Sequence, residues 1–452
     1  ASSVSASAET LQEALAAAYA TNPQLEAQRA ALRATDEGVR RAKSNYLPTV
    51  SGFYSEVEGE RQSFAVNDSG DPIDGTGNVI DRPDYRPNDT ESYGVRLQQN
   101  VFRGFRTYNE VLQQKANVSV GRSQLQQVEQ QILLQGVTAY MDVSRDEAVA
   151  RLNGNNVQVL ERQLQASLDR FRVGEITRTD VAQSEARLEV AKAQLLSAEA
   201  QLEASRATYE RVIGRKPTGV EVPDLPETLP ADLDGAVELA TAESPDILLA
   251  RHAEEAARKG IHVAQGSLLP TVTLQADYNK FEGITFFGPT AVTNRAETRQ
   301  VTLNLNVPLY TGGANYSDIR RAKEVRSQRM MEIHQSERVV QERVLTAWNQ
   351  FRAAKGQILS GKAAVRANEI ALEGVRQEAS VGSRTTLDVL DAEQELLDSR
   401  VSLIRSERDE SVAAYTLLSS MGQLTARKLA LGIELYDPEE HYDEVKNKII
   451  GW

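Results

Sequence analysis

The stretch Val381 to Arg400, VGSRTTLDVLDAEQELLDSR, decides how the rest of the chain is read. A Gly-Ser-Arg-Thr-Thr turn opens a helix, and Asp388 and Asp391 fall three residues apart in its first turns. That spacing sets two carboxylates on one helix face. The same turn occurs earlier as VGEITRTDVAQSEARLEVAK, Val173 to Lys192, displaced by 208 positions. Asp180 there matches Asp388, while Gln183 stands where the later copy has Asp391. Two copies of one turn at this distance predict an internally duplicated chain.

Outward from the turns, the duplication runs almost end to end. Each turn is preceded by a long helical pattern, from about Thr107 to Arg172 and from about Tyr316 to Ser380, with Ala139-Tyr140 matching Ala347-Trp348. Each is followed by a return helix. The first repeats apolar or small residues at Leu188, Ala191, Leu195, Ala198, Leu202, Ser205, Tyr209 and Val212, a 3-4 spacing. The second carries Leu390, Leu397, Val401, Ile404, Tyr415 and Leu418, and the two end at Gly214 and Gly422. Near the N-terminus, Thr10 and Glu13 form a T-x-x-E capping box. Asn22-Pro23 then opens a helix with Leu25, Leu32, Val39 and Tyr46 at seven-residue intervals, ending in Leu47-Pro48-Thr49-Val50. Ser244-Pro245 and Leu269-Pro270-Thr271-Val272 repeat that pattern 222 positions later. The repeats are therefore 1–214 and 244–422, joined by a Pro-rich linker at 215–243 and closed by a tail at 423–452.

Strands follow each Leu-Pro-Thr-Val. Val272, Leu274, Ala276 and Tyr278 alternate with polar residues, as do Val301, Leu303, Leu305 and Val307. In the first half Tyr93, Val95, Leu97 and Val101 do the same, with Gln99 interrupting the row, and the partner strand near Val50 to Val57 is less regular. Strand pairs are expected near 48–57 and 93–102, and near 271–281 and 299–309. Period-two alternation in segments of about ten residues is what a barrel wall between lipid and lumen requires. Ser55 to Glu91 holds ten acids and three bases and reads as a solvated loop. Its counterpart, Lys280 to Ala296, reads as a shorter loop carrying Phe281, Phe286 and Phe287.

A long helix of roughly 66 residues spans roughly 100 Å, close to the two shorter helices laid end to end. The expected wall is one long helix beside two short ones, twice per chain. Four strands do not close a barrel, and an open sheet leaves backbone groups unsatisfied in lipid. The chain is therefore expected to oligomerise, a count that this argument leaves at two or three copies.

Composition agrees. The net charge of −13 argues against a nucleic-acid partner. The absence of cysteine excludes disulfides, thiol chemistry and a lipidated Cys. No run approaches the roughly 18 apolar residues of a spanning helix, and Ala1 to Ala8 reads as the start of a mature chain whose signal peptide has been removed. A soluble coiled-coil scaffold explains the heptads and the charge but not four symmetrically placed alternating strands.

Asn22-Pro23, Ser244-Pro245, the two Leu-Pro-Thr-Val segments, Asn306-Val307-Pro308-Leu309-Tyr310-Thr311-Gly312-Gly313 and VGSRTTLDVLDA resemble the TolC family of bacterial outer-membrane channels. The resemblance covers nearly the whole chain. It implies a mainly α fold with a membrane β-barrel. Each of three copies would give four strands to a shared 12-stranded barrel and helices to a coiled-coil tunnel in the periplasm. It also implies a periplasmic adaptor and an inner-membrane transporter, ABC or proton-driven, as partners, with outer-membrane lipid around the barrel. The function implied is an exit duct for type I protein secretion, small-molecule efflux or both. Efflux members often carry a lipidated Cys, so its absence tilts the chain toward the secretion or multipurpose branch.

By the same resemblance, the Val381 turn lies at the periplasmic entrance, with Asp388 and Asp391 lining the pore constriction as acidic rings that favour cations. The plain alternative, a carboxylate near a helix start favoured by the dipole, accounts for Asp388 alone. Asp180 and Arg384 are candidates for a polar link that keeps the entrance closed; the alternative is two solvated turn residues. The family often places an aromatic just before the second Val-Gly, where this chain has Ala379. His252, His262, His334 and His441 lack metal-ligand spacing, and Asp71, Asp74 and Asn78 lack that of a calcium loop. Gly312-Gly313 lacks G-x-G-x-x-G and reads as a barrel-to-tunnel transition. No cofactor, metal or enzyme activity is expected.

Overall fold

A computed structural model of the protein describes residues 9–62, 64–74, 76–81, 85–226, 228–287 and 290–449, the side chains of 285–291 excepted. The chain divides into two compact units. One comprises Ala1–Asp36, Ala116–Glu254 and Gln328–Glu444; the other comprises Glu37–Lys115, Glu255–Ser327 and Val445–Trp452.

The second unit holds four long antiparallel strands in one sheet. They are β1 (Thr49–Val57), β2 (Thr90–Arg103), β3 (Thr271–Phe287) and β4 (Thr290–Asn306), in that order across the sheet. Register places Val50 beside Leu97, Leu97 beside Ala276, and Ala276 beside Val301; Leu274 faces Leu303. One face is thus an apolar row whose β4 members Val301, Leu303 and Leu305 are 73%, 66% and 64% exposed. Tyr54, Tyr93 and Tyr278 stand towards its far end, beyond which Glu56, Glu91, Glu282 and Arg295 take over the same face. The opposite face is polar, with Arg96 donating to Asp277 at 2.7 Å. The irregularity expected at Gln99 is a β-bulge between Asn100 and Phe102, which shifts the row by one residue. Among the described residues, no strand pairs with the outer edge of β1 or β4.

Lys280 to Ala296 is not a loop. β3 and β4 continue to Phe287 and Thr290, with Phe281 beside Ala296. Gly283 and the Thr- and Asn-rich residues around it mask a strand whose backbone ladder nevertheless runs on. Phe286 and Phe287 fall within β3, their side chains outside the described ones. The acidic loop contains two two-residue ladders, Glu60–Arg61 with Arg86–Pro87 and Ala65–Val66 with Pro72–Ile73. There the Asp74 carboxylate accepts the Thr76 N–H at 2.9 Å, the Thr76 hydroxyl at 2.7 Å and the Asn78 N–H at 2.9 Å, while Asn78 Nδ2 donates to its second oxygen. The hydrogen bonds hold its pKa down at about 2. Those oxygens are spent on a turn.

The helices are α1 (Leu11–Thr21), α2 (Pro23–Ser44), α3 (Arg106–Arg172), α4 (Arg178–Ile213), α5 (Leu233–Glu243), α6 (Pro245–Gln265), α7 (Ala314–Ser380), α8 (Thr386–Ser420) and the short α9 (Glu440–Val445). α3 and α7 are each 67 residues long and start and end 208 positions apart. α1 and α5 correspond at 222, so the last part of the stretch read as a linker, 233–243, is a helix. Its signal is Asp232, whose side chain accepts the Gly235 N–H at 2.8 Å. Where β2 meets α3, Gly104 and Phe105 both take positive φ (61° each), and Gly312 and Gly313 do so before α7 (64° and 86°). A Cβ on Gly104 would stand 2.4 Å from the Gly266 carbonyl oxygen, so this crossing needs a bare backbone.

The first unit has one main core, in which Leu15, Leu25, Leu133, Tyr140, Tyr209, Ile247, Leu417 and Met421 are buried together. The C-terminal tail as far as Glu444 belongs to this unit. The Ala426 N–H donates to Glu129 at 2.7 Å, and Arg29 lies over the rings of Tyr19 and Tyr436. A smaller core of Val157, Leu160, Leu188, Ala191 and Leu390 joins the α3–α4 hairpin to α8. Above it, Arg408 on α8 donates to Asp142 on α3 at 2.9 Å, so the two hairpins are tied by charge as well as apolar contact.

Candidate functional site

The two hairpin turns have one backbone design. After α3, the Gly174 N–H donates to the Phe171 carbonyl and the Glu175 N–H to that of Arg170, both at 2.9 Å. After α7, Gly382 donates to Ala379 at 3.1 Å and Ser383 to Glu378 at 3.0 Å. These are Schellman closures, and Gly174 and Gly382 share the φ of 80° that such a closure demands. The next helix starts with a capping box in both copies. The Thr177 N–H and hydroxyl donate to Asp180 at 2.9 and 2.8 Å, and Thr385 makes the same bonds to Asp388 at the same distances. Asp180 and Asp388 are therefore equivalent N3 caps.

The bonds from the Thr177 hydroxyl and N–H hold the Asp180 carboxyl below its ordinary value, and those from the Thr385 N–H and hydroxyl do the same for Asp388. A depressed folded pKa means stability that is present above the unfolded value and is lost as pH falls through the folded one. Both caps are expected to stay intact through mildly acidic pH and to open only below about pH 4. Carboxyl-resolved NMR titration checks this; a midpoint for Asp388 at or above about 3.9 contradicts it.

Asp391 does not stand beside Asp388 as an unpaired twin. It accepts from Arg187 on α4, an ion pair between the two hairpins. Arg384 donates Nε to Glu378 Oε2 at 2.9 Å across its own turn. In the first turn the order of charge is reversed, with Arg170 donating to Glu175 at 2.9 Å. Asp180 and Arg384 are not bonded to each other, yet they line one cavity of about 800 Å3 between the turns, with Arg170, Glu175, Arg376 and Glu393. Glu393 is buried; one oxygen takes Arg376 at 2.8 Å and the other has no hydrogen-bond partner. Ala379 lines the same cavity.

Arg187, Glu378, Arg376 and Glu393 escaped the reading of the sequence. Glu378 carries a local signal, an arginine six residues on in the same turn, whereas the partner of Glu393, Arg376, lies 17 residues back across the hairpin. Arg187 carries only a weak one, a base two helical turns past the Asp180 cap. His262, His334 and His441 are bonded to Gln265, Glu337 and Asp36 respectively. Among the described residues no three His, Cys, Asp or Glu side chains gather as a metal site, and no helix is long and apolar enough to cross a membrane.

Two matched helical hairpins, joined in sequence to a four-stranded sheet with an exposed apolar row, are the architecture of solved outer-membrane channel chains. A family model described as outer membrane efflux protein matches residues 14–215 and 236–423. The outer membrane efflux protein BepC of Brucella suis is 36% identical over 98% of this chain and 92% of its own length. The alkaline protease secretion protein AprF of Pseudomonas aeruginosa is 26% identical over 76% of this chain and 72% of its own. The crystal structure of the Campylobacter jejuni CmeC outer membrane channel superposes with a TM-score of 0.77 at 15% identity, covering 97% of this chain and 89% of that one. The chain belongs to the outer membrane efflux protein family.

Proposed function

We propose that this protein is the outer-membrane exit duct of a tripartite export system. It passes proteins, small molecules or both from an inner-membrane transporter, ABC or proton-driven, through a periplasmic adaptor to the outside. The observation that carries the reading is the open sheet. Among the described residues no strand pairs with either of its edges, its apolar face is exposed along its middle, and it is continuous in sequence with two hairpins built on 67-residue helices. In lipid such edges must be satisfied by further strands. Three copies give twelve strands, enough to close a barrel, and leave the helices to form a periplasmic tunnel. The repeats are 1–214 and 244–422, with 215–243 between them and 423–452 as the closing tail. BepC and AprF, by their names an efflux and a secretion protein, support export without choosing the cargo.

The entrance is placed at the turns. Asp388 and Asp391 are assigned to the constriction, and Asp180 and Arg384 to the link that holds it shut. Glu378 engages only Nε of Arg384, and a guanidinium carries further donors in a fixed fork, so one arginine can hold its own turn and reach Asp180 as well. The test is extraction. The protein should leave outer membranes only with detergent and run there with the mass of three chains. Release with the soluble fraction as an elongated coiled coil would mean a scaffold instead.

A further inference from the structure

We propose that the helix ends adjoining the sheet form a cationic collar that docks on anionic phospholipid headgroups, with Arg40, Lys43, Lys115 and Lys446 at its core. The proposal rests on the reading of the sheet as part of a membrane barrel.

Charge is the first observation. In the second unit, the residues outside 48–102 and 271–306 include fourteen Lys and Arg against five Asp and Glu, in a chain whose net charge is −13. The reverse holds for 48–102, with ten acids and four bases. One sheet thus has an acidic end at its loops and a basic end at its helices.

Packing is the second. Lys43 Nζ donates to the Lys446 carbonyl at 2.8 Å and to Asn447 Oδ1 at 3.1 Å, and Arg40 donates to the Lys448 carbonyl. These bonds bring the two tail lysines onto the end of α2, where the chain enters β1. Burial, followed by the fields of Lys115, Lys446 and Arg40, lowers the pKa of Lys43. Phosphate oxygens take charge-assisted bonds from several cations at once, which a cluster of this kind offers.

Position is the third. Tyr46, Phe105, Tyr108, Tyr310 and Tyr316 are all exposed where strands pass into helices. Aromatic side chains at that level mark a membrane–water interface. Cations just beyond such a belt meet headgroups, each contributing about 1 kcal/mol of attraction to an anionic surface. Arg320, Arg321 and Lys323 extend the exposed positive charge along the start of α7.

The test uses the full chain in phosphatidylcholine vesicles carrying trace spin-labelled phosphatidylglycerol or phosphatidylcholine, and reads the motionally restricted fraction of each. Phosphatidylglycerol should associate about fivefold more strongly than phosphatidylcholine, the ratio expected from a single such cation, and less so as salt is raised. K43Q/K115Q/K446Q should bring the ratio towards unity. R320Q/R321Q, which leaves the packed core untouched, should lower it in part. Equal association of both lipids with the unaltered protein overturns the proposal, as does an unchanged ratio in both variants. Loss of the preference to inorganic phosphate, beyond that caused by chloride at equal ionic strength, also overturns it by assigning the cluster to free phosphate. Failure to insert into either vesicle sinks the barrel reading and this proposal with it; insertion with equal association sinks this proposal alone.

Discussion

Replacing Leu303 with arginine is expected to stop the protein from accumulating as an assembled channel, whereas Thr302→Arg, one residue away, is expected to be tolerated. Leu303 lies in the middle of the exposed apolar row, opposite Leu274, while Thr302 points to the polar face opposite Gln275. An arginine facing lipid near the midplane costs about 2–4 kcal/mol, and a trimer would bear that cost three times over. The same charge on the lumen side meets water. Heat-modifiable trimer in outer-membrane fractions is the readout. Equal trimer yield from the two variants would show that the apolar row does not face lipid.

The second large effect belongs to the entrance. With Asp388→Ala and Asp391→Ala together, a trimer loses six carboxylates, and three Arg187 side chains lose their partner on α8. Cation selectivity in planar bilayers should collapse, with the reversal potential under a salt gradient moving to zero or to the anion side. Arg384→Ser, which breaks the bond to Glu378 and removes the proposed reach to Asp180, should instead raise single-channel conductance. Unchanged selectivity in the first variant, or unchanged conductance in the second, removes the corresponding residues from the entrance.

The helical part of the fold was legible because repetition made it so. Two copies of each boundary signal, such as Val-Gly before a Thr-led helix, mark α3 and α7 to within a residue or two. The hairpin at 281–296 was not, because Gly283 and its Thr and Asn neighbours lack the apolar alternation that betrays a strand, and backbone pairing alone carries it. α5 hid beside a run of prolines although Asp232 caps it. At the turns, the T-x-x-D spacing of Thr177–Asp180 and Thr385–Asp388 has the logic of Thr10 and Glu13, and it makes Asp388 a helix cap as Asp180 is. The partner of Asp391 is another matter. Arg187 stands 204 positions away, and only the packing of α4 against α8 brings the two together. What made Asp391 look like a second member of an acidic pair was spacing within one helix, and spacing is silent about neighbours across a hairpin interface.

On the proposed function, three of these chains make one conducting duct whose narrowest point is the acidic turn. Single-channel recording of the purified protein in a planar bilayer, under a salt gradient and followed by Arg384→Ser, tests it most directly. A small, cation-selective unitary conductance is expected, rising in the variant with its selectivity retained. A protein that inserts but conducts anions, or conducts nothing in either form, would contradict it.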